Sequence, residues 1–302
     1  MSGHAPAALR RVELTIRRRV HGLRHGDHLT LLRGRGIEAG DTRLYAAGDD
    51  VRRIDWAVTA RTGQPHVRDA VAERELDVAL LVDLSGSLSF GTSSWRKRDL
   101  AIAVATAIGS LAVWGQDRVA ALLLDGSGAH WTPARGGRAH LAAIVDRAEA
   151  SGGGAVDLAA GMERLGALAR RRGLVVVVSD FLGEPGWVRP LRVLGQRHQV
   201  IAVELIDPRE LRLPDVGWIT VEDPETGRRR TIDTSRSRIR AAVAAEADRR
   251  RAATEAAIRG AGASHLRLRT DEDWVAALVR HLTLMRRAEM AGHRVAARGG
   301  VA

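Results

Sequence analysis

Beginning at residue 77, short unbroken apolar runs alternate with longer segments whose apolar positions recur every three or four residues. "DVALLVDLSGS" closes on Asp83 after five apolar residues, as a strand buried on both faces of a parallel sheet does. "RDLAIAVATAIGSLAVW" then places Leu100, Val104, Ile108 and Leu111 on one helical stripe. The alternation continues with the strand "RVAALLLDG", the helix "RAHLAAIVDRAEA" and the helix "DLAAGMERLGALARRRG", which turns Met162, Leu165 and Leu168 inward. The strand "LVVVVSDF", a helix around "WVRPLRVLGQRH" and the strand "QVIAVELID" follow. "WITVEDPETGRRRTID" predicts a β-hairpin turning at Pro224-Glu225-Thr226-Gly227. A long arginine-rich helix, "SRIRAAVAAEADRRRAATEAAIRG", leads to a last strand, "HLRLRT". The closing helix "DEDWVAALVRHLTLMRR" is expected to be capped by Thr270 or Asp271, with "AGHRVAARGGVA" as a frayed tail. Strands alternating with helices require crossover connections and a sheet covered on both sides. The predicted class is α/β, a doubly wound, mostly parallel sheet, with no internal repeat.

The chain before residue 77 reads differently. In "RRVELTIRRRVHGLRHG" and the leucine just before it, Leu9, Val12, Ile16, Val20 and Leu23 mark one face of a helix whose other face is solvated arginine. "YAAGDDVRRIDWAVTARTG", residues 45–63, carries six charges and shows neither helical nor strand period. Gly48-Asp49-Asp50 signals a turn, and Ile54 and Trp56 are expected to anchor one side in the core. Arg52, Arg53, Asp55 and Arg61 can pair with one another or with Glu73 and Glu75. Two readings stand: an ion-pair network pinning this extension to the sheet, or a docking surface beside the sheet's crevice.

Composition narrows the function. Aromatic residues make up 3% of the 302, so the core must be built from Ala, Val, Leu and Ile, and the tryptophans stand out as anchors. The lack of cysteine removes disulfides, thiolate metal sites and cysteine nucleophiles, and fits a reducing cytoplasm. The net charge of +11 points toward nucleic acid or an acidic surface. Yet Lys97 is the only lysine, and the arginines are spread among acids rather than gathered in a tract, which argues against that partner. No signal-peptide pattern and no run of about 18 apolar residues is present, so a soluble, cytoplasmic chain is expected.

Ligands of open α/β sheets bind outside the carboxyl ends of the strands. Two strands deliver aspartates there, Asp83 in "LLVDLSGS" and Asp180 in "VVVVSDFLG", and the first also delivers Ser85 and Ser87, spaced by two. Carboxylate and hydroxyl oxygens suit Mg²⁺. The alternative is a helix-capping turn at Ser85, Gly86 and Ser87, with Asp180 closing its strand in a hydrogen-bonded loop. Enzyme readings find less support. A haloacid dehalogenase-type phosphatase needs a second acid where this chain has Ser85, and no G-x-S-x-G elbow, phosphate loop or H-E-x-x-H pair occurs. "GDD" lacks the strand-turn-strand setting of a polymerase site, and His66 and His140 read as surface or hydrogen-bonded residues.

"DLSGS" after an apolar strand, the glycine-rich "GGGAVDLAAGM" before a helix and "SDF" after a later strand resemble the von Willebrand factor A fold with its metal-ion-dependent adhesion site. The longer string "GDDVRRIDWAVTARTGQPHVRDAVAERELDVALLVDLSGSLSFG", with "IDPRELRLPDVGWITVEDPETG" further on, resembles the bacterial family called domain of unknown function 58. The resemblance implies a von Willebrand factor A-like domain with an N-terminal extension and a MoxR-type AAA+ ATPase as co-worker on protein clients. It carries the metal ligands to Asp83, Ser85, Ser87 and Asp180. Where that pattern has a threonine, this chain has Val156, followed by Asp157. Valine has no oxygen to offer, so Mg²⁺ is expected to bind weakly, or only when a partner carboxylate or Asp157 completes the shell. The expected layout is a basic helix and charged hallmark extension over residues 1–76, the von Willebrand factor A-like domain over 77–235, and a C-terminal helical segment with one strand over 236–302, packed on that domain. The expected function is a non-enzymatic interaction module. The alternatives are a Mg²⁺-dependent phosphoester hydrolase using Asp83 and Asp180, and arginine-driven nucleic-acid binding.

Overall fold

A computed structural model describes residues 42–46, 48–68, 76–93, 95–222 and 228–299. The basic N-terminal segment, Glu73, Glu75 and the expected turn at Pro224–Gly227 lie outside the described residues. The described residues divide into two compact units, one within residues 76–283 and the other within residues 42–68 and 284–299.

The first unit is built on β3 (Asp77–Asp83), β4 (Arg118–Asp125), β5 (Gly128–Arg135), β6 (Gly173–Ser179), β7 (Gln199–Ile206) and β10 (Ser264–Arg269). They form one sheet in the order β10-β7-β6-β3-β4-β5, parallel except for the β4–β5 pair. The central strands are apolar because both sheet faces are covered. On one face Leu80, Val82 and Leu123 line an apolar pocket with Ile102, Leu141 and Ile144 of α2 (Lys97–Trp114) and α3 (Arg138–Ala150). On the other, Ala79, Leu81 and Val177 join a buried cluster with Met162 and Leu165 of α4 (Leu158–Leu168). Leu191 and Leu194 of α5 (Val188–Arg197) and Ile258 of α7 (Ser237–Gly260) complete that cluster. Helix α2 is buried nearly all round, including the four residues assigned to its stripe. Each such leucine or isoleucine contributes about 1.5–3 kcal/mol on burial.

Three segments depart from the expected elements. "GAHWTPAR" forms β5, an antiparallel edge strand, where Pro133 is tolerated because edge strands leave one row of backbone groups unpaired. Helix α4 ends at Leu168, leaving Arg170–Arg172 outside it. The closing helix α8 (Trp274–Gly299) starts later and runs further than expected. Its cap is Asp273, whose carboxylate accepts from the Ala276 N–H at 3.1 Å. Thr270 is committed elsewhere, donating its hydroxyl to Asp207, and Asp271 pairs with Arg269. The hairpin strands β8 (Trp218–Glu222) and β9 (Arg229–Asp233) pair antiparallel, as expected.

In the second unit, β1 (Thr42–Leu44) pairs antiparallel with β2 (His66–Arg68). Between them the segment read as aperiodic contains a two-turn helix, α1 (Trp56–Thr62). Asp55 caps it by accepting from the Ala57 and Val58 N–H groups at 3.1 and 3.2 Å. Gly63 ends it in the left-handed conformation, φ 71°, which favours glycine. The helix buries no residue, so caps rather than an apolar face hold it. Trp56, expected to anchor in the core, is 71% exposed for that reason. Trp187 and Trp274 are the buried tryptophans among the described residues.

Candidate functional site at the carboxyl ends of the strands

Asp83 ends β3, and Asp180 follows β6, its parallel neighbour. The two strands place both aspartates at one edge of the sheet, nearly buried, with 3% and 6% of their surface exposed. Two further aspartates stand at the same edge: Asp125 at the end of β4 and Asp207 just after β7.

The loop leaving β3 turns at once into a short 3-10 turn, Gly86–Ser89. Ser85 does not cap that turn with its side chain. Its N–H donates to Asp83 Oδ1 at 2.9 Å and its Oγ lies 3.1 Å from Ser87 Oγ. Ser87 Oγ donates to Asp180 Oδ2 at 2.8 Å. The expected convergence of Asp83, Ser85, Ser87 and Asp180 is therefore a hydrogen-bonded chain. Ser179 Oγ closes it from β6, donating to Asp83 Oδ2 at 2.6 Å.

The backbone after Asp180 is strained into this arrangement. Phe181, a non-glycine residue, has φ 53°, and its N–H returns to Ser179 Oγ at 3.1 Å. The ring of Phe181 holds the turn by packing edge-on to Trp187, 5.0 Å between centroids. The glycine-rich loop closes the other side. The Gly86 N–H donates to the Gly154 carbonyl at 2.8 Å, and Gly126 N–H to the Gly153 carbonyl at 3.1 Å. A Cβ at Gly154, φ 127°, would meet the Gly126 Cα at 2.6 Å, so this approach requires glycine.

Sequence reasoning passed over the group at the centre of the site. Lys97, the first residue of α2, is fully buried. Its Nζ donates to Asp180 Oδ2 at 2.7 Å and to Glu210 Oε1 at 2.5 Å. A cation at a helix N-terminus opposes the helix dipole, so these two carboxylates must hold it there. Glu210 arrives on the single-turn helix α6 (Pro208–Leu211), capped by Asp207 in a reciprocal box in which Glu210 Oε2 accepts from the Asp207 N–H at 3.1 Å. Asp207 also accepts from the Thr92 N–H and hydroxyl, at 2.8 and 2.6 Å, and from the Thr270 hydroxyl at 2.9 Å. One buried carboxylate thus ties the loop after β3 to the ends of β7 and β10. The signals were present in "IDPRE", which carries the cap and the glutamate, and in the solitary lysine among 47 basic residues.

Electrostatics follow from burial and pairing. Burial pulls the Lys97 ammonium down, but the charges of Asp180 and Glu210 outweigh it and hold its pKa above the ordinary lysine value. Burial, then the negative charge of Asp180, pushes Asp83 up against the hydrogen bonds from Ser179 and Ser85. Burial also lifts Glu210, in spite of the ammonium beside it. At Asp207, burial is outweighed by the hydrogen bonds from Thr92, Arg209 and Thr270, which hold the carboxyl below its usual range.

A divalent metal fits this donor set poorly. Each of Asp83, Ser85, Ser87 and Asp180 is engaged within the protein, and an ammonium already sits on Asp180. Val156 packs against the apolar cluster under the sheet, and Asp157 is exposed and caps α4 through the Ala160 N–H at 2.9 Å. Among the described residues no group of three or more His, Asp or Glu side chains is placed to hold a metal ion.

The model of the family described as protein of unknown function DUF58 matches residues 41–253. The chain belongs to this family. It is 48% identical over 294 residues to the uncharacterized protein Rv1480 of Mycobacterium tuberculosis, spanning 95% of this chain and 92% of that protein. An uncharacterized protein of Mycobacterium avium, MAV169, is 42% identical over 168 residues, 54% of this chain and 98% of its own. Among solved structures, the chain is similar to the conserved hypothetical protein BatB from Bacteroides thetaiotaomicron, at 12% identity and a TM-score of 0.43 over 70% of this chain and 99% of that one. The VWA domain of SpRpn10 gives 10% identity and a TM-score of 0.37 over 68% and 94%. The DUF58 chain adopts the α/β class expected from its strand and helix alternation, a mostly parallel sheet between helical layers.

From the charged segment that resembles the family, Asp49, Asp50 and Asp55 bond to near neighbours within the second unit. Asp49 pairs with Arg43, Nη2 to Oδ1 at 2.6 Å, and accepts from the Ala46 N–H, which hold its pKa at about 2. Asp50 accepts from the Arg52 N–H at 3.0 Å, Gly48 turns at φ 108°, and Arg61 occupies the last turn of α1, where a cation complements the dipole. The side chain of Arg53 lies outside the described residues. The two histidines are hydrogen-bonded as expected: His66 Nδ1 lies 2.7 Å from the Gln64 carbonyl and His140 Nε2 2.9 Å from that of Val119. No helix among the described residues is long and apolar enough to cross a membrane.

Proposed function

We propose that this DUF58 chain is a non-enzymatic interaction module that seats a protein partner over the carboxyl ends of β3 and β6. The observation carrying this reading is the contrast between the crevice's interior and its rim. Inside, Asp83 and Asp180 are committed to Ser85, Ser87, Ser179 and Lys97, leaving neither placed as a free nucleophile or base. On the loops leaving the same two strands, Phe90 and Leu182 expose 42% and 40% of their surface. Large apolar side chains on loops held by a rigid scaffold suit protein contact. Family resemblance supports a MoxR-type AAA+ ATPase as the partner, in assembly or maturation of protein complexes. Capture of a partner carboxylate through Mg²⁺ on Asp83, Ser85, Ser87 and Asp180 is the metal-dependent form of the same reading, and it requires Lys97 to move off Asp180.

The test is a binding measurement between the purified chain and a MoxR-type ATPase from the same genome. Phe90→Asp with Leu182→Asp is expected to weaken binding at least about tenfold, a loss typical of apolar interface anchors. Unchanged binding by that double variant removes the crevice rim from the interface. Mg²⁺-stimulated phosphoester hydrolysis that disappears in Asp83→Asn would favour the hydrolase reading instead. Binding to nucleic acid with a steep loss of affinity in salt would favour the arginine-driven one.

A further inference from the structure

The crevice holds one cation already, and it is part of the chain. Lys97 Nζ makes its two bonds to carboxylates brought from far along the sequence, Asp180 after β6 and Glu210 on α6. Asp180 Oδ2 accepts from Lys97 and from Ser87 together, and Ser87 Oγ leads through Ser85 Oγ to the Asp83 side of the site. The ammonium therefore shares one carboxylate oxygen of Asp180, an expected metal ligand, with the hydroxyl of Ser87, another. The rest of the expected shell does not close around an ion: Val156, partly buried, packs against the apolar cluster and Asp157 caps a helix.

Residue choice sharpens the point. This chain uses arginine at every basic position except 97, and there the cation is wholly buried. A guanidinium is a planar fork, whereas an ammonium is a compact point charge with three donors around it. Only the ammonium approximates the shape and charge density of a small metal ion. Mg²⁺ needs oxygens on all sides at about 2.0–2.1 Å and dehydrates reluctantly, so it would have to displace a cation already held by two carboxylates.

We infer that Lys97 is the resident cation of this crevice, standing where a divalent metal would, so that the site is built and binds its partner without metal. This deepens the partner-binding reading in one respect: capture of a partner is expected to persist in a chelator.

The solitary lysine makes the test direct. The full chain labelled with ¹³C at lysine Cε gives one side-chain signal, that of Lys97. Mn²⁺ added to several-fold excess is expected to leave its linewidth unchanged. Broadening at substoichiometric Mn²⁺ that Mg²⁺ reverses, and that Asp83→Asn abolishes, would place a metal in the crevice and overturn the inference. A second arm removes the ammonium. Lys97→Met leaves Asp180 and Glu210 facing each other, and its melting temperature is expected to rise by several degrees with Mg²⁺, where the unaltered chain does not respond. That response is expected to vanish in Lys97→Met with Asp180→Asn. A Lys97→Met protein that folds but ignores Mg²⁺ would overturn the inference, because the carboxylates would then not form a cation site. If that variant fails to fold, the Mn²⁺ experiment on the unaltered chain decides alone. Failure of the chain to bind any MoxR-type ATPase sinks the interaction reading and leaves the Mn²⁺ result standing.

Discussion

The crevice and the segment over residues 48–63 both concentrate charged side chains, and they dispose of them in opposite ways. In the crevice, Lys97 finds partners 83 and 113 residues away, and the ammonium and Asp180 are removed from water while Glu210 is partly buried. In the segment, Asp49 pairs six residues away, Asp50 bonds two residues on, and Asp55 caps the helix that follows it. Density of charge along a chain is therefore a poor guide to its energetic weight. Local pairs at a surface organise a turn or a helix end and contribute little to global stability, whereas removing one partner of a desolvated pair costs several kcal/mol.

The largest effect is expected at Lys97. Lys97→Met strands two carboxylates in a buried site and is expected to cost about 3–5 kcal/mol, read as a shift in the urea midpoint with the slope unchanged. Lys97→Arg should recover only part of that loss, because a planar guanidinium does not fill the place of an ammonium. A midpoint within error of the unaltered chain for Lys97→Met would erase the distinction between the two regions.

A smaller loss is expected at Asp207, which joins three chain segments through hydrogen bonds alone. Asp207→Ala leaves the Thr92, Arg209 and Thr270 donors without their acceptor and should cost about 2–4 kcal/mol at neutral pH. Because the folded carboxyl titrates below its ordinary value of 3.8, the stability it supplies is present above that pH and is lost as pH falls through the folded value. The gap between the unaltered and variant chains should therefore narrow in acid, and a gap that widened below pH 3.8 would contradict the assigned hydrogen bonds.

In the other region the effects shrink. Asp55→Ala removes a helix cap and should cost about 1 kcal/mol, seen as faster amide exchange over residues 57–62 while the sheet's amides are unaffected. Trp56→Ala should change stability by less than about 0.5 kcal/mol, since an exposed ring has little burial to lose. A sharp fall in melting temperature for Trp56→Ala would restore the view of that tryptophan as a core anchor. Unchanged melting with weakened partner binding would mark it as a contact residue.

Most of the sheet was legible because each central strand is buried on both faces and the covering helices place apolar residues at helical spacing against it, so periodicity along the chain repeats the layering in space. The boundaries of α3 and α7 could be read directly, as could the pairing of β8 with β9. Strand β5 was missed because this edge strand keeps neither a continuous apolar run nor a strict alternation, and it contains a proline. Helix α1 was missed because it has no buried face, although its Asp55 cap and Gly63 stop were in the sequence.

At the site, sequence alone determined that Asp83, Ser85 and Ser87 leave one strand together and that Asp180 leaves another, because strand direction fixes which end of a sheet a residue reaches. It also determined that Val156 brings no oxygen to a metal. Only the tertiary structure decided which cation meets Asp180. The Lys97 side chain lies at the end of a helix where the dipole disfavours it, and nothing within a helical turn of it explains its presence. Its reason is a pair of carboxylates on separate strand ends and helices, and bonds between residues so far apart along the chain exist only once the sheet has brought their strands side by side.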